Sequence, residues 1–168
     1  MGRLALAVLL VFSLAACGGK SSMSAERVTY QADYPAYDTL AALHAKASLV
    51  VSVRLAERTE VRSLEHRVYT VLTGTVERTF KGPGAADVEI KQPGGEHRGT
   101  TYTEAGGIPL QPGRRYLLFL ETYPDSPASL LNPGQAQYLL DDAGRLEPVD
   151  ASGFSFTLAE LEALGPGS

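Results

Sequence analysis

Strict alternation of apolar and other side chains over residues 48–58 is the feature that most constrains the fold of this chain. The apolar positions recur at every second residue, namely Leu49, Val51, Val53 and Leu55. Successive side chains of a strand point to opposite faces, so this pattern predicts a strand with one face buried on a core. A β-rich fold is therefore the starting expectation.

The segments on either side carry two further patterns. Residues 39–47 have apolar side chains at helical spacing, which predicts a short helix with Asp38 as its N-cap and His44 on its exposed surface. Residues 67–80 are rich in β-branched and aromatic residues, which predicts a long strand. Gly74 in its middle predicts a bulge or a bend.

The second half of the chain adds shorter strands. Residues 116–120 are apolar without alternation, so we predict a strand that is buried on both faces. Residues 138–140 and 145–149 flank a Gly-containing turn, which predicts a hairpin, and Pro148 places its second strand at a sheet edge.

The C-terminus has the signals of a closing helix. Thr157 and Glu160 form a capping box, and Gly165-Pro166 ends the helix. We predict that three leucines dock this helix on the sheet, namely Leu158, Leu161 and Leu164.

The order of three segments resembles the netrin-like modules and the tissue inhibitors of metalloproteinases. These segments are 49–53 (LVVSV), 76–82 (VERTFKG) and 112–120 (PGRRYLLFL). The resemblance covers about residues 46–149 and implies an OB-fold barrel. We therefore predict a mainly β protein, a small OB-fold-like β-barrel with a short N-terminal helix and a C-terminal helix packed on it.

The first seventeen residues have the three-part organisation of a processed leader. Arg3 supplies a positive charge, residues 4–12 are an apolar run, and Leu14-Ala15-Ala16-Cys17 follows. This pattern resembles the signal peptide of bacterial lipoproteins. The resemblance implies that a diacylglycerol group, with acyl chains such as palmitate, is attached to Cys17, and that cleavage between Ala16 and Cys17 makes Cys17 the first residue.

Two alternatives stay open for this leader. A membrane-spanning helix needs about 20 apolar residues, and residues 4–17 are fewer than that. Ordinary secretion would leave an unmodified Cys17 at the place where a lipoprotein has its lipidated cysteine.

In the metalloproteinase inhibitors a free N-terminal cysteine binds the protease metal, whereas here that terminus would carry lipid, so the resemblance implies a barrel and not an inhibitor.

The leader sets the predicted domain organisation and location. We predict residues 1–16 as signal peptide, residues 17–33 as lipidated tether or linker, and residues 34–168 as a single β-barrel domain. The protein would be extracytoplasmic and lipid-anchored, in the cell membrane or the outer membrane, with the membrane as partner through the lipid and an envelope protein as a candidate partner.

Charge and cysteine content exclude several classes of function. The formal net charge is −4, so the chain lacks the excess of basic residues that attracts nucleic-acid phosphates. We therefore predict no nucleic-acid partner. Cys17 is the single cysteine, so neither an intramolecular disulfide nor a thiolate metal cluster can form.

Two Glu-His-Arg tripeptides, residues 65–67 and 96–98, hold two of the three histidines. Imidazole and carboxylate groups bind zinc. However, adjacent Glu and His residues in a strand point to opposite faces, and no HExxH spacing is present. We predict no metal site and no cofactor. The alternative is a metal-dependent hydrolase or metal-binding protein that uses the His66 and His97 segments.

No catalytic residue is predicted. Gly153-Phe154-Ser155-Phe156 lacks the closing glycine of a nucleophile elbow, and Asp141-Asp142 lacks the spacing of a calcium loop and fits a hairpin turn. The remaining candidate is a long loop over residues 92–113, with one weak strand near residues 100–103, because long loops in a compact domain are functional or disordered. Its polar and aromatic residues suit recognition, namely Glu96, His97, Arg98, Tyr102 and Glu104.

The sequence thus favours a non-enzymatic binding or adaptor domain of unknown ligand. A structural envelope component without a specific ligand is a further alternative.

Overall fold

The computed structural model describes residues 26–165. Within that range the chain is mainly β, with 51% of residues in strands and 9% in helices. The predictions for the leader and for Cys17 lie outside the described residues. The strands are β1 (Glu26–Tyr30), β2 (Leu49–Leu64), β3 (Arg67–Lys81), β4 (Asp87–Pro93), β5 (Gly95–His97), β6 (Thr100–Glu104), β7 (Arg115–Tyr123), β8 (Ser126–Leu130), β9 (Gln137–Leu140) and β10 (Leu146–Pro148). The helices are α1 (Leu40–Lys46) and α2 (Leu158–Ala163).

Five of the strands close into a ring. β2 pairs antiparallel with β3 and β7, β3 pairs antiparallel with β4, and β7 pairs antiparallel with β8. The ring is completed by a parallel pairing of β4 with β8, in which Ile90 lies opposite Ala128 and Lys91 lies opposite Ser129. The order around the barrel is therefore β2-β3-β4-β8-β7, and β9 and β10 extend the sheet beyond β7.

The apolar patterns of β2 and β7 both form part of the core. The alternating positions of β2 from Leu49 to Leu55 are buried as predicted, but Val50 and Ser52 between them are buried too, so the prediction that only one face is buried is wrong for the start of this strand. Every residue from Tyr116 to Leu120 of β7 is buried. Burial of β7 on both faces explains why its sequence lacks alternation. β2 is longer than predicted and continues to Leu64.

Gly74 marks an irregularity that lies on the neighbouring strand. The register of β2 against β3 shifts between Leu55 and Thr59, where the extra residues belong to β2, so the predicted bulge does not lie at Gly74. β3 has its own extra residues farther along, at Glu77 and Phe80. A Cβ atom at Gly74 would lie 3.1 Å from the Cβ atom of Val53. The glycine is needed because the two strands approach closely here.

Helix α1 differs from its prediction at two residues. Its N-cap is Thr39 and not Asp38, because Thr39 Oγ1 accepts a hydrogen bond of 3.1 Å from the N–H of Ala42. The prediction that His44 lies on the helix surface is wrong, since its side chain is buried. The end of β3 lies beside it, where Lys81 Nζ donates to the carbonyl oxygens of His44 and Ala45. Burial, together with the charge of Lys81, lowers the pKa of His44.

Helix α2 has the predicted capping box of Thr157 and Glu160. Leu161 is fully buried and Leu158 packs against the core. Leu164 is exposed and does not dock, because the helix ends at Ala163 and Leu164 is the C-cap.

The predicted hairpin is formed by β9 and β10, which pair antiparallel. Asp141 Oδ1 accepts from the backbone N–H groups of Ala143 and Arg145, so this aspartate serves the turn, as expected. β10, with Pro148, lies at the sheet edge.

A second, three-stranded sheet replaces two predicted irregular segments. β5 and β6 form a hairpin within the predicted loop of residues 92–113, and β1 pairs parallel with β6. β6 confirms the weak strand predicted near residues 100–103, whereas residues 26–30 form a strand where the sequence predicts linker. The three strands are short and lack a pattern of alternating apolar residues, so the sequence gives little indication of their pairing.

Candidate ligand-binding groove

A cavity of about 810 Å³ lies on the outer face of the barrel, and we call it the barrel groove. Its floor is formed by β3, β4, β8 and β7, and its cover by residues 31–37, the start of β5, β6 and residues 107–110. We call residues 31–37 the strap, since this segment joins β1 to the start of the barrel domain. The groove is thus built by elements distant in sequence.

The floor contains a row of side chains in register across neighbouring strands. Val71 lies opposite Lys91, Lys91 opposite Ser129, and Ser129 opposite Glu121. Residues directly opposite one another project to the same side of a sheet. The neighbouring row holds the buried residues Leu72 and Ile90 and faces the core. The row with Lys91 is therefore the outer one.

The strap is held in place by hydrogen bonds to three parts of the chain. The Tyr34 hydroxyl donates to Glu104 Oε1 at 2.7 Å. The backbone N–H of Tyr37 donates to Gln135 Oε1 at 2.9 Å, and Gln135 Nε2 donates back to the Tyr37 carbonyl. Asn132 Nδ2 donates to the carbonyl of Pro35 at 3.0 Å.

Tyrosine is the most frequent residue type in the lining. Five of the eight tyrosines line the barrel groove, namely Tyr34, Tyr37, Tyr69, Tyr102 and Tyr123. Lys91 Nζ lies 4.4 Å from the ring centroid of Tyr123 and 5.7 Å from that of Tyr69. The same nitrogen donates to Ser126 Oγ at 2.7 Å. An ammonium group over ring faces gains cation–π stabilisation.

The charged side chains of the groove contact neutral groups and not one another. Within residues 26–165, neither Lys91 nor Arg67 forms an ion pair, and the Arg67 guanidinium carbon lies 5.5 Å from the ring centroid of Tyr30. Glu104 accepts from Tyr34, as described above. Glu121 Oε2 accepts from the Tyr123 hydroxyl at 3.0 Å.

Burial keeps the tyrosine hydroxyl groups protonated. It raises the pKa of Tyr34, and the hydrogen bond to Glu104 raises it further. Burial also raises the pKa of Tyr37, with a smaller contribution from the charge of Glu121. These hydroxyls therefore remain hydrogen-bond donors at neutral pH.

The Tyr37 hydroxyl is the one groove donor left without a partner among the described residues. Its oxygen is buried and makes no hydrogen bond there. An unsatisfied buried polar group costs free energy and is uncommon in folded proteins.

The predicted site residues are divided between the groove and the surface. Tyr102 lines the groove and stacks on Tyr30, with ring centroids 5.8 Å apart. Glu96, His97 and Arg98 lie at the turn end of the β5–β6 hairpin, outside the lining.

His66 lies in the turn between β2 and β3, with a positive φ of 67°, and it is also outside the groove. Across residues 26–165, no group of three or more His, Cys, Asp or Glu side chains is arranged to hold a metal ion.

The sequence does not indicate most of the groove residues, among them Tyr69, Lys91 and Tyr123. The alternation of Val88 and Ile90 in β4 does place Lys91 on the face away from the core. That face is a candidate site only because the strap and its neighbouring segments cover it. The sequence around Lys91 does not predict this cover.

Comparison with known proteins does not assign a ligand or a function to the barrel groove. No family model, curated protein or solved structure matches the chain. Neither helix in the described part of the chain is long and apolar enough to cross a membrane. The groove is therefore interpreted from its own residues.

Proposed function

We propose that this chain is a non-enzymatic binding domain whose ligand occupies the barrel groove. The observation that carries the proposal is the cavity itself, whose volume of about 810 Å³ is within the range typical of ligand sites. Aromatic rings line it together with a few polar groups, which is the usual composition of such sites.

The polar groups of the groove support binding and not catalysis. The three histidines lie outside the lining, so no imidazole is available there as a general base. Glu104 and Glu121 are both engaged by tyrosine hydroxyls. The alternative of a metal-dependent hydrolase at His66 and His97 has no observation in its favour.

We propose in addition that the barrel is an OB-fold. The closed ring of five strands, with β4 and β8 parallel, supports this assignment. OB-folds use the face of their second and third strands and the loops after their first and fourth strands for ligands. The corresponding strands here are β3 and β4, which form part of the groove floor.

The proposed location is extracytoplasmic, with a lipid on Cys17 as the membrane anchor in the cell membrane or the outer membrane. The three-part leader supports it. Eight residues separate Cys17 from β1, and a chain of that length reaches at most about 30 Å. The barrel would then stay close to the lipid surface, where a ligand or partner of the envelope is within reach.

Site-specific photocrosslinking in intact cells of the native host tests the binding proposal. A photoreactive phenylalanine analogue replaces Tyr123 in the groove, and in a second variant it replaces Val61 outside it. The two positions are a matched pair, because their exposed fractions are 37% and 38%. We expect a crosslinked species from position 123 only. Equal crosslinking from both positions, or none from position 123, would contradict the proposal.

A further inference from the structure

We infer that helix α1 opens in acid: protonation of the His44 imidazole releases the helix from the barrel and loosens one end of the barrel groove. Such a change of conformation is independent of which ligand the groove binds. Three features carry the inference, namely the burial of His44, the position of Lys81 at the end of the helix, and the place of α1 between the strap and β2.

His44 is the enclosed histidine among the three of this chain. It is 4% exposed, and His44 and Leu43 are the two buried residues of α1. His66 and His97 lie at the turns of two hairpins and are more exposed. The Nε2 atom of His44 makes no hydrogen bond among the described residues. An imidazolium is a donor at both nitrogens, so protonation would create a buried charge with a donor that has no acceptor.

Lys81 prevents the end of the helix from stabilising that charge. The last carbonyl groups of a helix attract cations, and a protonated histidine is normally favoured there. Here the Nζ atom of Lys81 already donates to the carbonyl oxygens of His44 and Ala45, at 2.8 and 3.0 Å. A second positive charge on His44 would therefore be repelled by the first.

No opposite charge compensates for this repulsion. Across residues 26–165, Lys81 is the one charged side chain that acts on the pKa of His44, and no carboxylate forms an ion pair with the imidazole. Burial, and then the charge of Lys81, lowers this pKa below its ordinary value. The neutral imidazole thus belongs to the closed position of α1, and the charged imidazole favours an open one.

Release of α1 requires only local opening. The helix has seven residues, and a helix of this length depends on packing for its stability. Leu43 and the C-cap residue Ala47 join it to the core. A charge at His44, between these two residues in the chain, therefore acts on the segment that holds the helix in place.

Opening of α1 would reach the groove through both ends of the helix. Lys46, in its last turn, lines the groove. The strap residue Tyr37 lies shortly before Leu40, the first residue of the helix, and also lines the groove. The backbone N–H of Tyr37 donates to Gln135 Oε1 at 2.9 Å, so exchange of this proton reports whether the strap loosens together with the helix.

The direction of the pH effect follows from proton uptake. In the open form His44 is in water and titrates near its ordinary pKa of 6.5, whereas its pKa in the closed form is lower. Above that value both forms are neutral and the closed form has its full stability. As the pH falls below 6.5, the open form takes up a proton first and becomes more populated. Uptake of one proton can raise the equilibrium constant for opening at most about thirtyfold between pH 6.5 and pH 5.

Hydrogen exchange of the full chain at pH 7.5 and pH 5 tests the inference. Protection factors correct for the intrinsic pH dependence of exchange. The reporters of α1 are the N–H groups of Leu43 and Ala47, which donate to the carbonyls of Thr39 and Leu43 at 3.1 Å each. The N–H of Phe119, which donates to the carbonyl of Ala136 at 2.9 Å, reports on the barrel.

We expect Leu43 and Ala47 to be less protected than Phe119 at both pH values, because α1 opens without global unfolding. Their protection should fall at least about fivefold from pH 7.5 to pH 5, and the N–H of Tyr37 should follow them. In the same samples, the imidazole signals of His44 should titrate below pH 6.5 together with the amide shifts of α1.

Histidine variants assign the effect. His44→Phe keeps a ring in the site and cannot take up a proton, so its loss of α1 protection should be less than about twofold. His44→Gln gives the same test if the larger ring disturbs the fold. His66→Gln and His97→Gln are the matched controls, since these are the other two histidines of the chain, and both should retain the fivefold loss found for the unsubstituted chain, to within about twofold.

Several results would overturn the inference. They are equal α1 protection at pH 7.5 and pH 5, a His44 imidazole that titrates at or above pH 6.5, and an equal loss of protection in the unsubstituted chain and in both His44 variants. Loss of protection in α1 without any loss at Tyr37 would show that the opening does not reach the groove, and would overturn that part.

Discussion

The hydrogen bond between Tyr34 and Glu104 fastens the strap over the groove, and Tyr34→Phe removes it while keeping the ring. The oxygen atoms are 2.7 Å apart, within the range of hydrogen bonds to a carboxylate. Hydrogen bonds to charged groups contribute about 1.5–3 kcal/mol to stability. Both side chains are only partly buried, so we expect Tyr34→Phe to lower the free energy of unfolding by about 1.5 kcal/mol. For a domain of this size that corresponds to a decrease in Tm of about 3–6 °C.

Two assays measure this loss. Urea unfolding followed by circular dichroism gives the global free energy of unfolding. Hydrogen exchange reports on the strap region alone, because a locally opening segment exchanges without global unfolding. The N–H of Ala105, which donates to the Tyr30 carbonyl at 2.9 Å, should exchange about tenfold faster in the variant.

A double-mutant cycle assigns the effect to the pair. Glu104→Gln should cost stability alone but add little to Tyr34→Phe, because both substitutions remove the same interaction. If Tyr34→Phe leaves both the unfolding free energy and the Ala105 exchange rate unchanged, the strap is held by other contacts and our account of the cover is wrong.

Three further predictions concern the anchor, the pH dependence and the core. Cys17→Ala should move the protein from the membrane fraction to the soluble fraction of cells, and mass spectrometry of the native protein should show diacylglycerol on Cys17; an unmodified thiol would refute the anchor. The pKa values of Tyr34 and Tyr138 in the folded protein are raised above the ordinary value of 10.0. The contribution of these two residues to stability is therefore complete below about pH 10 and is lost as the pH rises further. We expect the midpoint of urea unfolding to fall between pH 8 and about pH 11, and to fall less in Tyr34→Phe. Ile90→Ala removes a fully buried side chain at the parallel β4–β8 junction and should cost about 2–5 kcal/mol in urea unfolding; a loss below about 1 kcal/mol would contradict the closed core.

The barrel strands could be predicted because their patterns are local. The alternation from Leu49 to Leu55 and the apolar run from Tyr116 to Leu120 both follow from which faces are buried. The capping box of α2 is likewise local, since Thr157 and Glu160 are three residues apart. Such features need no knowledge of the rest of the fold.

The groove could not be predicted, because it depends on contacts between distant segments. β1 pairs with β6 across 74 residues, and Tyr34 reaches Glu104 across 70. The same cause explains His44, which is buried where α1 lies beside Lys81 at the end of a distant strand. Glu96, His97 and Arg98 suited recognition by composition, but the hairpin turns them away from the cavity that Tyr102 lines.

The central claim is that the barrel groove is the ligand site, and NMR mapping tests it most directly. The ¹⁵N-labelled chain is titrated with the species that crosslinks from position 123, and amide shifts are followed along the chain. We predict that the largest changes fall on the floor and the strap, at Tyr37, Tyr69, Lys91, Tyr123 and Ser129. Changes confined to the tip of the β5–β6 hairpin or to the β9–β10 edge would place the ligand elsewhere and contradict the account.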